Sequence, residues 1–165
     1  MNYIEIYGNN YCIKGKDWRC DMIEQDTIKL LRECDAGVKM WVSSIDDVLE
    51  YVGDEKLKNL LSTCKNEHIK LEDEIEDRLN RFDDDGKEPA AIAKGMSWMK
   101  TNVMLAMNDS DHTIADLITD GCNMGVKSLN KYLNKYKAAD EKSKDITKRL
   151  INLEEKLAID IREFL

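Results

Sequence analysis

Proline occurs once in these 165 residues, histidine and phenylalanine twice each, and glycine eight times. So little proline and glycine excludes a collagen-like or low-complexity chain and leaves room for long unbroken helices. No apolar run approaches the eighteen or so residues of a membrane span. The opening MNYIEIYGNN lacks the basic start and apolar middle of a signal peptide, so the expected compartment is the cytoplasm. No glycine-rich phosphate loop, Gly-x-Ser-x-Gly or HExxH is present. In DSDHTIADLITD the acidic spacing is that of a calcium loop, but Ile114 stands where glycine is required, so the stretch reads as a helix start with His112 at the surface. A clustered basic face is missing as well. With 33 acidic and 25 basic residues the net charge is −8, which argues against nucleic acid as a partner. Five cysteines (Cys12, Cys20, Cys34, Cys64 and Cys122) form no CxxC pair and leave an odd one over, so no disulfide framework is expected.

What the chain does have is helical periodicity. Hydrophobic residues make up 42% and charged residues 35%, the mix of a single helical globule. The stretch YIEIYGNNYCI alternates around Gly8-Asn9-Asn10 and reads as a short arm or β-hairpin over residues 1–20. Residues 21–165 read as one bundle domain. Asp21 and Glu24 offer a capping box for a first helix running to about Val52, with Leu31, Cys34, Val38, Trp41, Ile45, Val48 and Val52 along one stripe. Gly53-Asp54 breaks it. The second helix carries Leu57, Leu61, Cys64, His68, Leu71, Ile75 and Phe82 on one side. DDDGKEP ends that helix, and Pro89 opens a crossover helix over AAIAKGMSWMKTNVMLAM. Two more helices follow, from about Thr113 to Lys137 and from about 141 to 165. The last has Ile146, Leu150, Leu153, Leu157, Ile161 and Phe164 inward. The expected fold is therefore all-α: two short-looped helical hairpins joined by one long crossover that contains a helix of its own. That is the connectivity of ferritin-like bundles.

Particular segments resemble the ferritin-like superfamily, especially its uncharacterised bacterial branches. ECDAGVKMW resembles the first-helix segment in which a carboxylate precedes an aromatic by two turns, and NEHIKLEDEI the second-helix Glu-x-x-His segment. GKEPAAIAKGMSWMK is similar to the crossover of those branches, and IADLITDGCNMGVKSLNKYL to their third bundle helix. The likeness spans about residues 22–165. It implies a di-iron centre built from a carboxylate on each of two helices and Glu-x-x-His on the other two. The residues best matching that set are Asp35, Glu67, His68, Asp120 and Glu155, but Lys65 and Ala158 stand where a glutamate and a histidine belong. A cation at Lys65 would oppose bound metal. The expectation is thus a bundle with a degenerate ligand set and no cofactor, acting as a structural or interaction module. The alternatives are an irregular iron-handling or oxidase site, or zinc held by Cys64, His68 and Cys122. Cys34 is too far along the axis, about 14 Å from Cys64 at ~1.5 Å per residue, to share that ion.

Simpler readings stand beside these. Cys34, Cys64 and Cys122 read as small buried hydrophobes, and Met96, Met99, Met104 and Met107 as core filler. The run Glu72, Asp73, Glu74, Glu76, Asp77 reads as a solvated face. On the crossover helix, Trp98 and Leu105 form a second apolar line with no evident partner in the chain. That line suggests a homodimer through this helix, or an unidentified protein partner.

Overall fold

The computed structural model describes residues 4–7, 10–13, 18–87 and 110–165, and of the first two segments and residues 18–19 the backbone alone. Two four-residue strands, β1 (Ile4–Tyr7) and β2 (Asn10–Ile13), pair antiparallel with Ile4 opposite Ile13 and Tyr7 opposite Asn10. Among the described residues four helices follow: α1 (Trp18–Leu49), α2 (Glu55–Asn80), α3 (Ser110–Lys135) and α4 (Glu141–Asp160). A single 3₁₀ turn, Ile161–Phe164, ends the chain's last helix. The expected crossover helix, with Met96, Met99, Met104, Met107, Trp98 and Leu105, lies outside the described residues. No described helix is long and apolar enough to cross a membrane.

Helix ends differ from expectation where local chemistry had two solutions. The first helix begins at Trp18, so Asp21 lies within its first turn, where a carboxylate is stabilised by the exposed N–H groups and helix dipole. The third begins at Ser110, three residues before Thr113. Its Asp111 turns away to accept the backbone N–H of Gly53 (2.8 Å) and of Asp54 (2.9 Å), tying α3 to the α1–α2 turn. Asp54 in turn caps α2 by accepting from the N–H groups of Lys56 and Leu57, and Asp140 caps α4 by accepting from that of Ser143.

These ties set the helix directions. At one end of the bundle Asp111 meets the α1–α2 turn. At the other, Asp26 and Thr27 of α1 accept the backbone N–H groups of Ala138 and Asp140 from the α3–α4 turn. Arg78, near the end of α2, pairs with Asp140 at the same place. Helices α1 and α4 therefore run one way and α2 and α3 the other. The chain leaves α2 at one end and enters α3 at the opposite end.

The whole apolar stripe expected for α1 is buried, as are Leu57, Leu61, Cys64, Leu71 and Ile75 of α2. The core falls into two clusters. One holds Trp41, Ile45, Leu57, Leu61, Cys64, Ile114, Ile118, Cys122 and Leu157; the other holds Leu30, Leu31, Cys34, Val38, Leu71, Ile75, Leu129, Ile146 and Leu150. Where they meet, each helix presents one position that is not an aliphatic side chain.

Candidate functional site

That level can be located by counting. Thr27 pairs with Asp140 and Cys34 with Thr147, both at an offset of 113 residues along the parallel helices α1 and α4. The same offset places Trp41 level with Glu154. On α2 the position between the clusters is His68, on α3 it is Gly125, and on α4 it is Glu154. Trp41 and His68 stack, with centroids 4.8 Å apart and planes inclined by 21°. A Cβ built at Gly125 would overlap the Glu154 carboxylate, so the absence of a side chain there is what admits it.

His68 is fully buried. Its Nδ1 lies 2.9 Å from the carbonyl oxygen of Cys64, one turn earlier. A carbonyl only accepts, so Nδ1 carries the proton and Nε2 is left as an acceptor. Nε2 has no hydrogen-bond partner among the described residues. Burial lowers the pKa of the imidazole, opposed in part by the Cys64 carbonyl, and holds the ring neutral. Glu154 is 4% exposed, and its Oε2 likewise has no partner among those residues. Burial alone pushes its carboxyl up to about 8. The layer thus contains one neutral imidazole and one carboxylic acid, each with an unsatisfied atom, and the clusters on either side of it hold thiols.

Those thiols are Cys34, Cys64 and Cys122, all buried and free as expected. Burial raises the Cys34 and Cys64 thiols to about 12 and raises Cys122 further, with Glu154 adding to each. Thiols so far from ionisation are weak nucleophiles. Cys34 lies within hydrogen-bond distance of the Thr147 hydroxyl, at 3.3 Å. No disulfide framework is expected from the sequence, yet Cys20 is disulfide-bonded. An odd cysteine count argues against a multi-bridge framework but leaves a single bridge open.

The metal-ligand candidates do not converge. Glu67 is exposed and accepts from Lys70 at 2.6 Å; Asp120 and Glu155 are exposed too. His68 faces the centre. Asp35, expected beside the stripe, is fully buried, but by a different agency. After α2 the chain folds back across α1, where Arg32 pairs with Asp84 and Glu33 with Lys87. The Lys87 backbone N–H donates to Asp35 Oδ2 at 2.8 Å, and Gly86, at φ 79°, lies so close that a Cβ would overlap that carboxylate. Asp35 is therefore covered by a strap on the flank of the bundle.

Among the described residues, one group of three potential ligands has its atoms within 4.8 Å of one another: Asp35, Glu72 and Glu76. Lys39 already sits in it, 3.2 Å from Asp35 and 3.9 Å from Glu76. The expected carboxylate face is otherwise solvated, with Asp73, Glu74, Glu76 and Asp77 exposed. The set Cys64, His68 and Cys122 does not form such a group. The bond from its histidine Nδ1 to the Cys64 carbonyl leaves Nε2 free, but the three candidate atoms are not gathered within that distance.

Glu154 escapes the sequence reading, which favours Glu155. A signal for it exists: Thr147, Leu150, Glu154, Leu157 and Ile161 are spaced alternately by three and four, so Glu154 lies on the inward stripe. Gly125 has no comparable signal, since its role is defined only against the facing helix. No protein-family model, curated protein or solved structure matches the chain.

Proposed function

We propose that this chain is a ferritin-like bundle whose centre is filled rather than catalytic, and that it acts as a structural or interaction module. Connectivity supports the ferritin-like reading: two antiparallel hairpins, with α2 and α3 parallel and one connection spanning the length of the bundle, follow the plan of those proteins. The observation that carries the rest is the content of the layer between the clusters. A di-iron centre needs four carboxylates and two histidines directed inward. Here the four helices present Trp41, His68, Gly125 and Glu154, while Glu67, Asp120 and Glu155 are exposed. Leu157 stands three residues after Glu154, where a second histidine would be required. The residues do not fit a di-iron group.

The reactive groups that remain are poor reagents. Three thiols are held protonated, and the imidazole is neutral and stacked on Trp41. Self-association through the crossover helix around Trp98 belongs to the same proposal and rests on the apolar line of that segment. The test is metal analysis of protein purified without chelator, combined with light scattering. Metal well below stoichiometric, and a dimer that Trp98→Glu converts to monomer, support the reading. About two irons per chain after aerobic loading, lost in His68→Ala, overturn the filled centre. A wild-type monomer overturns the dimer.

A further inference from the structure

Among the described residues Glu154 is the one acid in the central layer, and what faces it is uncharged. Helix α1 contributes Trp41, α2 contributes His68 and α3 contributes Gly125, with Cys34 in one adjoining cluster and Cys64 and Cys122 in the other. The field of Glu154 is felt at all three thiols. Charged groups of the adjoining faces (Glu33 and Asp35 on α1, Glu67 on α2, Lys156 and Asp160 on α4) act on Cys34 or Cys64, and burial alone shifts Glu154. No cation among the described residues compensates it.

We propose that Glu154 is a proton-operated latch: as the neutral acid it closes the middle of the bundle, and its ionisation loosens α4 from α2 and α3. A carboxylate buried without a partner must either neutralise or acquire water. On the α3 side the Gly125 backbone lies so close to the carboxyl group that not even a Cβ fits between them. Hydrating the ionised group therefore requires α4 to move. A core cluster lies on either side of the layer, so the loosening is confined to the middle of α4, whose start is held through Asp140 to Thr27 and Arg78 and whose end is held by Leu157 and Ile161 in the core.

The pH window follows from the direction of each shift. The folded Glu154 keeps its proton up to about 8, against 4.5 ordinarily, so the folded state loses stability as pH rises across that interval. His68 works the other way: its lowered pKa makes the fold less stable as pH falls below 6.5. Between these values, from 6.5 to about 8, Glu154 is the member of the pair that acts.

Alkylation of Cys122 in the native full chain, followed by mass spectrometry, reads the loosening directly. The rate in wild type is divided by the rate in Glu154→Gln; because ionised Glu154 raises the Cys122 thiol, its charge alone lowers this ratio as pH rises, and only loosening raises it. The ratio should be near one at pH about 6.5 and several-fold higher at pH about 8.5, past the ionisation of Glu154. A ratio that stays constant or falls overturns the proposal. Should Glu154→Gln fail to fold, hydrogen exchange of the wild type decides. After correction for intrinsic pH dependence, amides around Glu154 and Gly125 should lose protection across the same interval while those near Asp140 do not. Unchanged protection, or a uniform loss along the helices, overturns it.

Discussion

The Glu154 carboxyl group occupies the space that a side chain at residue 125 would need, so Gly125 and Glu154 are sterically one unit shared by two helices. A helix-interior glycine ordinarily costs about 1 kcal/mol relative to alanine. Here that cost is offset by the room it provides.

Replacing Gly125 by Ala should therefore destabilise the protein, by roughly 1–3 kcal/mol for an overpacked core, despite the better helix propensity of alanine. In Glu154→Ala the same replacement should be neutral or stabilising. A double-mutant cycle by urea unfolding measures this coupling. Additive effects would mean that the two residues do not share the space.

Trp41 should matter through its stacking on His68 as well as its bulk. Trp41→Ala should cost about 3–5 kcal/mol, the range for large aromatic side chains in cores. It should also let the imidazole titrate closer to its ordinary value. Nitrogen-detected NMR of the wild type should show the Nδ1–H tautomer at neutral pH, since the Cys64 carbonyl accepts that proton. An Nε2–H tautomer would contradict the geometry.

At the strap over α1, Gly86 adopts φ 79° and lies against Asp35. Gly86→Ala should destabilise by ~1–3 kcal/mol, because alanine is strained in that conformation and meets the carboxylate. Asp35→Ala leaves the Lys87 N–H without its acceptor and should make cleavage near residues 84–87 faster under limited proteolysis. Unaltered cleavage would show that the strap is held by the Arg32–Asp84 and Glu33–Lys87 pairs alone.

Asp111 ties the start of α3 to the α1–α2 turn through two backbone N–H groups. Asp111→Ala should cost about 1–2 kcal/mol, as for a lost cap that leaves donors unpaired. Asp111→Asn should recover part of it. Hydrogen exchange at Gly53 and Asp54 provides a local check.

Much of the fold is legible in the sequence because burial along a helix repeats every three to four residues. That period in Leu31 to Val52 and in Leu57 to Ile75 determined two amphipathic helices, and Gly53-Asp54 between them determined that they fold back on each other. Burial of Cys34, Cys64, His68 and Cys122 follows from the same pattern. Periodicity resolves a face but not always a single residue, which is why Glu155 and the inward Glu154, neighbours in the chain, are easily exchanged. A stripe also says nothing about the facing helix. Only the tertiary arrangement decided that the Glu154 carboxyl lies against Gly125, that Trp41 stacks on His68, and that Asp111 reaches back 58 residues to Gly53. Asp35 was likewise settled by a strap 52 residues away, since contacts between distant segments depend on how the helices pack rather than on local spacing.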